Sequence, residues 1–272
     1  MFDSKMLVRL LTAIGAGVLA LALLAPGAFA KEPAPGYTQF AGCPSPEENP
    51  EVVACQRTVI TGGHFQMGSK DVPIEKAMTL SGGWDPSFSK FFYNSKGGLT
   101  PVKQKVPGGV IGLTGLTWLF EFLGSDALTL YAVTELAGPV TGGDGTNLPI
   151  KVHLINGVLG NNCYVGSTSN PIKLHLITGK TEPPPPNTPI EGTNPEFSED
   201  ALGILHLNNA VFVDNAFAAP GASGCVLTLF GFIPISINGL VNSQSGLPSP
   251  AGTNETVQNN NTELVAGALV YP

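Results

Sequence analysis

Short runs of alternating apolar and polar residues, each closed by glycine or proline, pattern this chain. In the run 127–136, Leu128, Leu130, Ala132 and Leu136 oppose Thr129, Tyr131, Val133 and Glu135. In 72–80, Val72, Ile74, Met78 and Leu80 oppose Pro73, Glu75, Ala77 and Thr79. A period of two puts successive side chains on opposite faces, so each run predicts a strand with one buried side. The runs 57–61 and 64–67 flank Gly62-Gly63, which predicts a hairpin with a two-residue turn. Further strands are expected at 203–207, 210–213 and 263–266.

One segment has an internal echo. Residues 149–157 (Pro-Ile-Lys-Val-His-Leu-Ile-Asn-Gly) recur as 171–179 (Pro-Ile-Lys-Leu-His-Leu-Ile-Thr-Gly). Lys151 and His153 share one face of the first copy, Lys173 and His175 one face of the second, and aliphatic residues fill the others. Each copy reads as a strand with one wet side, and 161–166 between them suggests a three-strand meander. Turn-separated strands at this spacing predict a mainly β fold, an antiparallel sandwich or distorted barrel over about 39–270. One or two short helices are expected, at 113–123 and 237–243.

The proline-rich segment 182–189 contains Pro183-Pro184-Pro185-Pro186, which favours an extended polyproline run that no central strand accepts. It reads as a stiff crossover within one domain. Two stretches, 113–123 and 226–237, are almost wholly apolar and too short to cross a bilayer. Core is the plain reading of both; the functional one is a greasy pocket or partner surface.

Composition narrows the classes. Charged residues make up only 12% of the 272, against about 25% in ordinary soluble domains. Net charge is −7 with Lys+Arg 13, so no basic stripe supports nucleic-acid binding. Gly (34) and Pro (24) interrupt every long stretch, which excludes a coiled coil or helical bundle.

Lys5 and Arg9 precede the apolar run 10–25, and Ala28-Phe29-Ala30 follows the Pro26-Gly27 break. This is the pattern of a signal peptide over 1–30, with cleavage between Ala30 and Lys31. The expected product, 31–272, is a single secreted β-rich domain with a net charge of about −8. It is expected to be extracellular or cell-wall associated, and not an integral membrane protein after cleavage.

Four cysteines, Cys43, Cys55, Cys163 and Cys225, allow three pairings. Cys43 and Cys55 flank a Pro-rich loop, so local closure is the natural pair, which leaves Cys163–Cys225 as a long-range brace. A metal reading lacks a Cys-x-x-Cys or a His close in sequence to any Cys.

The motif search predicts no catalytic residue, cofactor or metal. There is no Gly-x-Ser-x-Gly elbow, His-Glu-x-x-His, P-loop or EF-hand loop. The loop 142–147 around Asp144 lacks the spaced carboxylates of a calcium site and reads as an Asx-type turn. A metal held by His153 and His175 would be opposed by their neighbouring lysines. His64, His206 and Asp214 are the candidate general bases and acid, none with an identifiable partner in sequence.

The run Asn162-Cys163-Tyr164-Val165-Gly166, the segment 171–174 with Thr178-Gly179, and the proline segment resemble a group of secreted proteins from high-GC Gram-positive bacteria. Val213-Asp214-Asn215-Ala216-Phe217, Gly224-Cys225 and the run 246–252 extend the resemblance over most of the expected mature chain. The resemblance implies an exported, disulfide-bonded, mainly β protein and brings no catalytic residue with it. Three functions are carried forward. The first is a non-catalytic secreted or envelope protein; the second binds an apolar ligand or a membrane surface; the third is a hydrolase with a dispersed site.

Overall fold

The computed structural model describes residues 31–115, 129–157, 159–229 and 232–272. Its strands in chain order are β1 (Ala54–Met67), β2 (Lys70–Pro73), β3 (Met78–Trp84), β4 (Phe91–Phe92), β5 (Gly98–Leu99), β6 (Lys103–Lys105), β7 (Tyr131–Leu136) and β8 (Thr146–Ile155). There follow β9 (Tyr164–Val165), β10 (Ile172–Leu176), β11 (Glu196–Glu199), β12 (Leu205–Asp214), β13 (Ala222–Ser223), β14 (Val226–Leu229), β15 (Ile233–Ser236) and β16 (Glu255–Ala266). Three short helices accompany them: α1 (Gly109–Thr114), α2 (Asn238–Ser245) and α3 (Gly267–Val270).

The larger sheet has the order β11-β12-β16-β1-β3-β4, with β2 added to β1 and β5 to β3. The smaller has the order β13-β9-β8-β7-β6, with β10 added to β8. β14 and β15 form a separate hairpin. All pairs are antiparallel and neither large sheet closes on itself, so the fold is a sandwich and not a barrel. Alternation does the work. On β8, Leu148, Ile150, Val152 and Leu154 are buried while Lys151 and His153 remain on the wetter face. These join Met67, Leu80 and Trp84 of the larger sheet in one core. Each such aliphatic side chain contributes about 1.5–3 kcal/mol by leaving water.

Several sequence expectations need correction. Gly62-Gly63 is not a turn, because β1 runs straight through it. Gly63 has φ +102, and a Cβ there would collide with the Val257 carbonyl of β16, so glycine serves close backbone approach. The turn lies at Gly68-Ser69, where Met67 pairs with Lys70. The run 72–80 is two strands: residues 74–77 separate β2 from β3, although Ile74, Met78 and Leu80 are all buried as expected. The echo is not a meander, because β10 pairs directly with the first half of β8, Ile172 opposite Ile150. β9 covers the second half, Val165 opposite Val152. The strands expected at 203–207 and 210–213 are one, β12, bent by a bulge. Among the described residues three short α-helices accompany the strands, against the one or two expected. α2 matches the expectation at 237–243 closely, whereas α1 reaches only the start of 113–123, whose residues 116–123 lie outside those described.

Both disulfides pair as expected, Cys43–Cys55 and Cys163–Cys225. The first packs with Phe40, Val265, Val270 and Tyr271, closing one end of the larger sheet. Tyr271 donates its hydroxyl to the Cys43 carbonyl at 2.8 Å, and burial pushes its pKa up to about 12. The proline crossover lies within the compact unit Glu32–Pro272. It is pinned there by Asn187, whose side-chain amide donates to the Asn215 and Asn254 carbonyls.

Candidate ligand cavity between the sheets

β16 reverses the usual order of a strand. Of its four buried positions, Thr256, Gln258 and Asn260 are polar and Val265 is apolar. Pairing on both sides carries these residues into the interior. Asn260 sits between Ile60 of β1 and Ala210 of β12, and Gln258 sits between Gly63 and Phe212. Two bulges fall at this point. Thr61 is the extra residue of β1, while Asn208 and Asn209 of β12 oppose the single Asn261. Asn209 adopts φ +59, and its N–H donates to Asn261 Oδ1 at 2.9 Å. Bulges bend a strand and increase its twist, so the larger sheet curves where β16 presents its amides.

Beyond Asn260 the polar side chains are satisfied. Thr58 and Thr262 share a hydroxyl bond of 2.8 Å, and Gln56 Nε2 donates to Thr58 Oγ1 at 2.9 Å. Trp84 Nε1 donates to Gln56 Oε1 at 2.6 Å. The chain of partners then stops. Gln258 Oε1 and Asn260 Oδ1 are buried and have no hydrogen-bond partner among the described residues. Each orphan acceptor costs about 1–3 kcal/mol.

The space beside them is a cavity in two compartments. One, of about 140 Å³, lies between the Gln56, Thr58, Thr262, Asn260 and Gln258 stripe and the hydrocarbon of Leu148, Leu176, Leu207 and Phe212. The other, of about 40 Å³, is walled by Phe65, Met67, Ile74, Met78, Ile150 and Leu174. Ile60, Leu99, Leu148 and Gln258 line both. None of the described residues lining either compartment carries a charge. A dry cavity of about 150 Å³ is large enough for benzene, so this space admits a ring or short chain.

The sequence candidates lie elsewhere. His64 Nδ1 is 2.8 Å from Asp71 Oδ1, and its Nε2 is 3.5 Å from Glu255 Oε1. Both ring nitrogens thus face carboxylates, an arrangement that offers neither to a hydroxyl nucleophile. His206 pairs with Asp200 at 3.2 Å; the Ile204 N–H lowers the pKa of that carboxyl most. Asp214 is buried and accepts the backbone N–H groups of His175 and Ala216. Burial raises its pKa against those bonds. His64 and Asp214 therefore serve separate clusters. His153 stacks on Tyr164 at 4.2 Å, while His175 bonds Asn147 Oδ1 at 3.0 Å, so the two are not joined in one site. Asp144 is exposed, beside a loop closed by reciprocal backbone bonds of Thr141 and Asn147. Among the described residues no group of three or more His, Cys, Asp or Glu converges on a metal position.

The apolar stretch 226–237 is the hairpin β14–β15 and its flanks. Leu227 and Ile237 are buried, but Phe232 is 74% exposed and Ile233 and Ile235 are 42% exposed, so it is not simply core.

The residues missed in sequence are Gln258 and Asn260, in the stretch just before the strand expected at 263–266. The available signal was hydrogen-bonding side chains at period two, Thr256, Gln258, Asn260 and Thr262, ending at Leu264. Comparison with protein-family models, curated proteins and solved structures finds no match.

Proposed function

We propose that this chain is an exported, non-catalytic binding protein that holds a small, mainly apolar molecule between its two sheets. The observation that carries the reading is the uncharged, largely apolar cavity, with two unpartnered amide oxygens at its edge. Ligand sites are typically apolar concavities with a few polar groups that fix orientation. The carboxylate partners on both nitrogens of His64 favour binding over hydrolysis. Export is supported by the leader pattern and by two disulfides, which persist in oxidising compartments. The destination is the extracellular space or the cell wall. Among the described residues no helix is long and apolar enough to cross a membrane.

The test is titration of the secreted protein with benzene, followed by NMR. Saturable one-to-one binding that Leu148→Phe abolishes is expected, because Leu148 lines both compartments. Benzene binding that is unsaturable, or unchanged in a folded Leu148→Phe protein, would overturn the reading.

A further inference from the structure

We infer that the occupant of the inter-sheet cavity is electrically neutral and carries a hydrogen-bond-donating group, a hydroxyl or an amide N–H, seated against Gln258 and Asn260. The inference rests on the cavity being a ligand site and specifies the ligand's chemistry.

Neutrality follows from the walls. No charged residue is among the described residues that line either compartment, so a carboxylate or ammonium entering it would lose its water without a counter-charge. Such a group stays outside.

The donor follows from a census of the polar side chains that line the space. Thr58 and Thr262 bond each other, and Gln56 is committed to Thr58 and to Trp84. Gln104, at the far end, is also occupied: its Oε1 accepts the N–H groups of Glu75 and Lys76, and its Nε2 donates to the Lys76 carbonyl. Thr134 and Thr146 of the smaller sheet add hydroxyls that can donate or accept, whereas, among the described residues, the buried acceptors left without a partner along the cavity are the carbonyl oxygens of Gln258 and Asn260, two residues apart on one face of β16. Gln258 Nε2 has only a long contact, 3.5 Å, to Thr256 Oγ1, so the amide is not locked in place. The terminal torsions of Gln and Asn are soft, and a small rotation turns either oxygen toward the void. A ligand hydroxyl there supplies the missing donor while its hydrocarbon part fills the aliphatic side. An alkane of the same shape leaves both acceptors orphaned and binds more weakly for that reason.

Three six-membered ring probes separate the possibilities: cyclohexane, cyclohexanol and cyclohexanecarboxylate, each titrated into the secreted protein at pH 7 by NMR. Cyclohexanol is expected to bind about tenfold more tightly than cyclohexane, and cyclohexanecarboxylate not at all. In Gln258→Leu with Asn260→Leu, cyclohexane affinity is retained and the preference for the alcohol disappears. Cyclohexane binding as tightly as cyclohexanol, or a preference for the carboxylate, overturns this inference and leaves the cavity reading standing. Absence of binding by all three overturns both. The comparison of probes on the unaltered protein holds even if the double variant fails to fold.

Discussion

Thr58 of β1 and Thr262 of β16 meet hydroxyl to hydroxyl, 2.8 Å apart, on the inner face of the larger sheet. A cross-strand polar pair in a sandwich interior is unusual, because inner faces ordinarily interdigitate as hydrocarbon. Here it begins a polar stripe that continues through Asn260 and Gln258 and faces Leu148 and Leu176 across the cavity. The larger sheet supplies most of the polar groups, while among the described lining residues the facing sheet adds Thr146 to its leucines. That asymmetry would orient whatever lies between them.

The pair itself predicts a graded response. Thr58→Val removes partners from both Thr262 and Gln56, whereas Thr262→Val removes one from Thr58 alone. Each loss leaves a part-buried polar group one bond short, so Thr262→Val should cost about 1 kcal/mol and Thr58→Val about 2. Urea unfolding of the two variants measures the difference. Equal costs would mean that the Gln56 bond contributes nothing.

What could be read from sequence was local, and what could not depended on partners far along the chain. β8 and β10 are legible because one face is wet and the other aliphatic, so their period of two survives in the text of the sequence. β16 is not, because Gln258-Asn259-Asn260-Asn261 has the composition of a turn, and asparagine is poor in strands taken alone. It is held extended by β1 on one side and β12 on the other. Gly62-Gly63 misleads in the opposite way: it has the composition of a hairpin turn, but the close Val257 carbonyl makes it strand interior. The cavity lies beyond any local pattern, since it depends on how two sheets with two bulges face each other. The disulfides were legible because the Pro-rich loop leaves Cys43 and Cys55 twelve positions apart.

The two bridges should differ in their contribution. Cys163–Cys225 spans 62 positions and belongs to the main core, while Cys43–Cys55 spans 12 and belongs to the smaller N-terminal cluster. Loop entropy assigns about 4 kcal/mol to the first and about 3 to the second. Denaturant unfolding of the paired Cys→Ala variants should rank them in that order. Hydrogen exchange should place the opening caused by the short-bridge variant around Phe40 and Tyr271. A larger loss from the short bridge would reverse the ranking.

Acid should destabilise the fold only below about pH 4, for reasons of sign. Asp85 accepts the Lys90 N–H and the Ser87 hydroxyl, with further bonds from Ser89, and these hold its pKa well below the usual 3.8. The Ile204 N–H, with His206, lowers Asp200 in the same direction. A carboxylate lowered in the fold contributes stability that is complete above its unfolded pKa and is lost as pH falls through the folded one. Asp214 has the opposite sign, because burial raises it and the folded state takes up its proton first. Acidification toward pH 4 therefore relieves Asp214, and further acidification removes the contributions of Asp85 and Asp200. Urea midpoints across pH 2–7 should hold or rise slightly toward pH 4 and then fall. Asp85→Asn should lower stability at pH 7 and flatten the fall below pH 4. An unchanged acid limb in that variant would remove Asp85 from the account.

The sharpest stability prediction is that a substitution at Gln258 makes the empty protein more stable. Ordinarily a buried side chain contributes to the fold, and replacing it is harmful. Gln258 is 4% exposed, yet its Oε1 has no partner among the described residues, so its amide costs more than it returns. Leucine is close to it in size and brings no polar atom. Gln258→Leu should therefore stabilise the ligand-free protein by about 1 kcal/mol. For a chain of this length that is about 2–4 °C in melting temperature. Ile60→Ala, on the hydrocarbon wall of the same cavity, should instead cost about 2–5 kcal/mol, because it removes apolar contact and enlarges the void. Calorimetry on both variants measures the contrast. A Gln258→Leu protein that melts lower than the unaltered one would show that the amide is already satisfied within the fold. A higher melting temperature together with weaker cyclohexanol binding would show that stability is given up at this position for recognition.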